Sequence, residues 1–418
     1  MNLVHGLVHE YVALLRKNPD YRNLWLARVV SNLGDWFNLL ASAALITSLT
    51  GAGTAISYLF LARFLPVFLM SPFAGVLADR YERRAIMVAT DLLRGITVLC
   101  FLLVREPGDI WLLYLLTVVQ FVLSSLYTPA HSALLSNIVP PEDLVTANAL
   151  DGFTWSSMLA IGALLGGVAA ALFGVTAAFI IDAATFVLSA WFVTRIGAVA
   201  IPGDGERTAG MMDFVHGLSY LRQRPFILGL SLVKAGGAAV WGVVNVMEIP
   251  LATEVFPFNG NGTITLGIVY ACVGLGTGLG PLLLRRWLGD GRNALLWAIT
   301  ASFFVMSCGV LGMGFAPSLG WMTAATLVRS LGSGSLWVFS SAILQHIVAN
   351  EFRGRVFAFE FAALTLTQSL ATLWAGMALD QWQLGVQEVL IVASVASFVV
   401  SLLWTWFQAR QAARVAVV

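Results

Sequence analysis

Charge is scarce in this 418-residue chain: Asp, Glu, Lys and Arg make up 11% of it against 59% hydrophobic residues, and the formal net charge is +1. Soluble domains carry about 25% charged residues, so a water-exposed globule is excluded. With no concentrated basic surface, so is a nucleic-acid partner. Cysteine is nearly absent. Cys100, Cys272 and Cys308 sit singly in apolar stretches, without metal-ligand spacing, which argues against zinc and disulfides. No phosphate-cradling loop and no G-x-S-x-G run occurs, and His131 and His346 form no metal set, so neither ATP use nor membrane-embedded hydrolysis has a basis. Gly274, Gly276, Gly278 and Gly280 lie in an apolar helix with no preceding strand, which excludes a dinucleotide loop.

What the chain has instead is twelve apolar stretches. They begin near Trp25, Thr54, Ala85, Trp111, Val145 and Val175, then near Phe226, Ile264, Asn293, Leu319, Val356 and Val386. A helix of about 20 apolar residues crosses the hydrocarbon core of a bilayer. Outside these stretches Lys and Arg fall in alternate gaps and at the ends of the chain, with Arg105 the exception. Basic residues gather on the cytoplasmic side. The expectation is an all-α integral membrane protein with twelve transmembrane helices and both termini cytoplasmic, in the cell membrane. Met1 to Asn23, with Arg16, Lys17 and Arg22, reads as an amphipathic surface helix and not as a removable signal. The aromatic residues Trp36, Trp155, Trp241, Trp337 and Trp374 read as core or interface anchors.

The longest polar interval, 197–225, divides a six-helix unit over 1–196 from another over 226–418. Its second half places Phe214, Leu218 and Leu221 at helical spacing, as in an interfacial helix. The halves repeat: at a shift of 209 residues (341 − 132), Ser132/Ser341, Ala133/Ala342, Leu135/Leu344, Ile138/Ile347, Val139/Val348, Glu142/Glu351 and Ala149/Ala358 are identical. Parallel six-helix repeats handle a substrate between them near the midplane.

The gap after the second stretch reads Gly75-Val76-Leu77-Ala78-Asp79-Arg80-Tyr81-Glu82-Arg83-Arg84. Gly75 lets two helices approach, and Asp79 at a helix end suits an Arg or a neighbouring helix N-terminus. This run resembles the signature of the major facilitator superfamily, with Glu82 where many members have Gly. The resemblance implies that the cluster latches the cytoplasmic ends of the two bundles in the outward-facing state. The corresponding run, Gly280-Pro281-Leu282-Leu283-Leu284-Arg285-Arg286, keeps the basic residues and lacks the acid, so the latch is one-sided. Arg353 and Arg355 are the expected partners of Asp79, and Asp91 and Arg94 share a helix face where they can pair. Further runs resemble the siderophore (enterobactin-type) exporter and macrolide efflux branch: Thr128-Pro129-Ala130, Ser136-Asn137-Ile138-Val139-Pro140-Pro141-Glu142-Asp143-Leu144, Ala147-Asn148-Ala149-Leu150 and Gly162-Ala163-Leu164-Leu165-Gly166-Gly167. In the last, Ala163 stands where the antiporter signature carries Pro.

Ionisable residues inside the membrane cost several kcal/mol unless they face protein or water, so each is a functional candidate. The set is Asp35, Arg63, Asp151, Asp182, Lys234, Glu248, Arg329 and Glu360. Counting rise along each helix places Asp35, Arg63, Gln120 and Arg329 near the midplane. Gln120 and Arg329 are equivalent under the shift, as are Asp151 and Glu360, whose depth suits gating. Glu248, beside Pro250, is expected at the outer surface and solvated. Asp35 reads either as the protonatable carrier or as a permanent ion pair, and Asp182 and Lys234 either as coupling groups or as interhelical pairs. The function this implies is secondary active export of a small amphipathic compound, coupled to protons, by a monomer without cofactor. An importer or flippase of a sugar or lipid, and a non-transporting receptor, are the alternatives.

Overall fold

A computed structural model describes residues 2–50, 53–197, 218–289 and 291–416, and these are helical throughout apart from short connections. Helix α1 is Asn2–Lys17. The first half continues with α2 (Pro19–Thr50), α3 (Gly53–Arg80), α4 (Arg83–Cys100) and α5 (Ile110–Ile138). A helical stretch, Leu144–Thr194, follows, 51 residues long and more than twice what one crossing needs. Gly174 breaks it, at φ 79° and ψ 168°. Only a residue without a Cβ takes that conformation cheaply. The run is therefore two crossings, α6 (144–173) and α7 (175–194), as the expected start near Val175 required.

The second half holds α8 (Pro225–Val255), α9 (Gly262–Leu288), α10 (Arg292–Gly314), α11 (Leu319–Ile347), α12 (Asn350–Asp380) and α13 (Val386–Ala416). Among the described residues this makes twelve crossings, α2 to α13. An even number leaves both described chain ends on one side, called here the terminal end; the other is the far end. The interval 198–217, including Phe214, lies outside the described residues.

The repeat is written into the helix boundaries. Adding 209 to Gly53, Arg83 and Ile110 gives Gly262, Arg292 and Leu319, each a helix start, and adding it to Ile138 gives Ile347, a helix end. Val139 and Val348 then cap equivalent helices through bonds to Leu135 and Leu344.

Two seams join the halves: α3 against α12, and α6 against α9. Lipid tails are as apolar as leucine, so close helix association needs small residues. Both seams use them. Gly167 meets the backbone of Thr263 and Gly267, and Gly274 meets the backbone of Ala160, so a Cβ at either would collide with main chain. Gly376 abuts the Ser57 side chain and the Thr54 backbone, and a Cβ there would collide with Ser57. Away from the seams, Leu172, Phe173, Leu282 and Trp287 stay exposed, as a hydrocarbon-facing surface requires. α1 is fastened at the terminal end by buried Leu14, which joins a cluster with Tyr21, Leu24 and Val139, and by Lys17, 3.0 Å from Asp143.

Candidate functional site

The membrane-depth charges form separate clusters, one in the first half and two in the second. In the first half, Arg94 on α4 donates to Asp35 on α2 at 2.6 Å, and Asp91, one turn before it, lies 3.9 Å away. Asp91 accepts from Ser189 on α7 at 2.6 Å, and Phe186 lies under the Arg94 guanidinium at 4.1 Å. The expected pairing of Asp91 with Arg94 is present but secondary. The shorter contact is Asp35.

Asp182 on α7 completes this cluster. It is fully buried and neither oxygen has a hydrogen bond of normal geometry, although the Asn38 amide and the charges of Asp35, Arg63 and Arg94 surround it. It approaches α2 because residue 34 is Gly: a Cβ there would collide with Asp182 and Thr185.

In the second half, Lys234 on α8 donates to Glu360 on α12 at 3.1 Å and to Ser341 on α11 at 2.7 Å, with Trp337 under its ammonium at 4.4 Å. Arg329 on α11 donates to Glu248 on α8 at 2.8 Å. Both side chains are buried, Glu248 completely. Glu248 is thus not solvated, contrary to the expectation from its place beside Pro250. The helix does not stop there but runs on through a π-helical turn, Leu251–Val255, which puts Glu248 about 10 Å inside its end. Gly309 gives Arg329 its seat, since a side chain there would strike the Arg329 backbone.

Arg63 on α3 differs from these cations. It is half-buried, stacks 4.5 Å from the Phe121 ring, and has no carboxylate within ion-pair distance among the described residues. It lies within electrostatic reach of Asp35, Asp182 and Tyr270. Tyr270, on α9 of the other half, has a buried hydroxyl without a partner among the described residues and lies within electrostatic reach of Glu248 and Arg329 as well. Its ring meets Trp36 of α2 at 5.1 Å, a contact across the two halves. Gln120 is buried with its Oε1 unpartnered.

At the terminal end, His131 Nε2 lies 3.7 Å from Asp151, and Arg83 and Arg84 donate to the carbonyls of Ala133 and Ile196 at the ends of α5 and α7. Arg353 donates to the carbonyl of Gln345, and Arg355 stacks on Phe352. The side chains of Asp79 and Arg80, and the packing of Gly75, lie outside the described residues. The far end holds a contact the sequence reading did not include. Asp380, last in α12, accepts from the backbone N–H of Gly53 at 3.1 Å and of Thr54 at 2.7 Å, and from the Thr54 hydroxyl. An acid at the negative end of its own helix is misplaced unless another helix uses it. Here it caps the N-terminus of α3 across the seam. The one signal for it in sequence was a carboxylate ending a helix that carries no other charge after Glu360.

The glycine run on α6 divides its work. Gly162 and Gly166 seat Trp36 and Phe37 of α2, while Gly167 faces the other half. On α9, Gly274 faces α6 whereas Gly276 and Gly280 face α11. These are packing glycines and make no nucleotide loop.

The model of the Major Facilitator Superfamily matches residues 24–316, well over half of the chain. The chain belongs to that superfamily. It is a multi-pass membrane transporter and not an enzyme. Relatives from Bacillus subtilis (strain 168) include the uncharacterized MFS-type transporter YfiS, 28% identical with 93% of each chain covered, and the putative bacilysin exporter BacE, 26% identical over 85% of this chain and 88% of that one. Macrolide efflux protein A of Streptococcus pyogenes is 24% identical over 86% and 89%. Among solved structures, the nucleoside transporter NupG superposes with a TM-score of 0.70 at 14% identity, covering 92% of this chain and 98% of that one, a likeness of fold alone.

Proposed function

We propose that this transporter exports a small amphipathic organic compound in exchange for protons, the units 1–196 and 226–418 rocking about a central site with 197–225 as their linker. The observation that carries the reading is the Asp35–Arg94 pair, partly exposed through Asp35 and backed by Asp182, which has no ionic partner among the described residues. Protonating Asp35 removes the 2.6 Å partner of Arg94 and leaves the guanidinium to Asp91 and Asp182. That exchange loosens α2 from α4 and tightens α4 on α7, so proton binding and helix movement share one set of contacts. Relatives named as exporters support the direction.

In this reading the far end is closed, the site opens to the terminal end, and the terminal end is cytoplasmic, as the basic residues imply. The gate that closes it groups Gly75, Asp79, Arg80, Arg83 and Arg84 with Asp91, Arg94, Asp151, Arg353, Arg355 and Glu360. The protein works as a monomer in the cell membrane.

The test is uptake into inverted vesicles of three dansyl probes of different charge: dansylglycine, its amide and dansylcadaverine. Uptake of at least one, lost when the proton gradient is collapsed, is expected. Uptake indifferent to the gradient removes proton coupling, and no uptake of any removes export of this compound class.

A further inference from the structure

We infer that the central site selects compounds bearing an anionic group, a carboxylate or its like, and that Arg63 is the residue that reads it. The inference rests on the transport reading above and concerns the same site. Consider which charges a ligand entering between the halves can meet. Arg94, Lys234 and Arg329 are buried and already hold carboxylates at 2.6, 3.1 and 2.8 Å. Asp91, Asp182, Glu248 and Glu360 are buried as well. Asp35 is partly exposed, but its carboxylate is taken by Arg94. Arg63 alone of these groups combines partial exposure with the absence of an ion pair.

Its surroundings fit an amphipathic anion. Phe121 covers one face of the guanidinium and holds it in place, leaving its edge N–H groups for a carboxylate. Tyr270 of the other half lies within electrostatic reach of it, and the hydroxyl, buried and unpartnered among the described residues, would be a second donor for the same group. The Trp36–Tyr270 ring pair, 5.1 Å apart, gives the apolar part of the ligand an aromatic wall built from both halves. A buried hydroxyl without a partner is costly unless a ligand satisfies it. An anion held by Arg63 and Tyr270 bridges the two halves, so it binds only when α3 and α9 are in register. Substrate occupancy is thereby tied to the closed seam.

The experiment measures binding of the three dansyl probes to the purified full chain in nanodiscs, by energy transfer from tryptophan. The wild type is expected to bind dansylglycine about tenfold more tightly than its amide, the worth of one charge-assisted bond, and dansylcadaverine more weakly than either. Arg63→Gln should erase the preference, the affinity for dansylglycine falling to that for its amide, and Arg63→Lys should keep part of it. Thermal unfolding of each variant confirms folding. Equal affinities in the wild type, tighter binding of the cation, or a preference that survives Arg63→Gln would overturn the inference, as would failure of the wild type to bind any probe. A charge preference without gradient-driven uptake would leave it standing while the coupling reading falls. Uptake without the preference would do the reverse.

Discussion

At the scale of single residues, what distinguishes the buried charges is how each one is neutralised. Asp35 pairs with Arg94, yet its partial exposure separates it from the sealed Glu248–Arg329 pair. Asp35→Asn should therefore abolish gradient-driven uptake while the protein remains folded, and wild-type uptake by that variant would take Asp35 out of the mechanism. The Glu248–Arg329 pair is expected to be structural. Removing one member strands a buried charge, at a cost of about 3 kcal/mol or more. Arg329→Met should lower the unfolding temperature in detergent sharply, and adding Glu248→Leu should restore most of it. If the double variant is no more stable than the single one, the pair is not what holds α8 to α11. Such pairings were only half legible beforehand. Depth along a helix follows from counting residues, and it picked out Asp35, Arg63 and Arg329, but the direction a side chain points does not follow from one sequence. Glu248 was misplaced for a related reason: a proline beside it reads as a helix end, while the backbone continues by a π-helical turn.

Among the elements, the seams are where sequence and structure meet most closely. The glycines of α6 and α9 were readable as packing residues, because a phosphate loop needs a strand that is not there. Which neighbour each one faces was not, since residues four apart share a face and those two apart do not. Gly274→Leu should drive α9 away from Ala160, and overpacking of this kind costs about 1–3 kcal/mol. Its signature is loss of uptake with the ion pairs of both halves intact; normal uptake would show that the α6–α9 seam tolerates a wider spacing. Asp380 is the complementary case. Its three bonds tie α12 to the start of α3 at the far end, which the proposed reading takes as closed. Asp380→Ala should raise the accessibility of a cysteine placed at Ser57 to a membrane-impermeant thiol reagent added from the far side. Unchanged labelling would mean that the Gly376 packing closes this end without it.

For the molecule as a whole, the architecture was nearly complete in the sequence. Helix starts at Gly53, Arg83 and Ile110 recur 209 residues on, because the same apolar lengths were written twice, with different residues at the caps. The charged clusters do not recur: positions equivalent to Asp35 and Arg94 are Val244 and Phe303. One half thus holds a partly exposed ion pair while the other holds sealed ones, an asymmetry expected if, as proposed, the first half carries the coupling and the second serves as the frame it rocks against. The central claim is that the two ends open in alternation. Pulsed electron spin resonance on the protein in nanodiscs tests it without any substrate. One spin-label pair joins Arg105 to Asn259 at the far end, and another joins Glu142 to Asn293 at the terminal end. The account predicts two distances for each pair, with Asp380→Ala lengthening the far-end distance as the terminal-end distance shortens. A single distance at both ends, unmoved by that substitution, would contradict it.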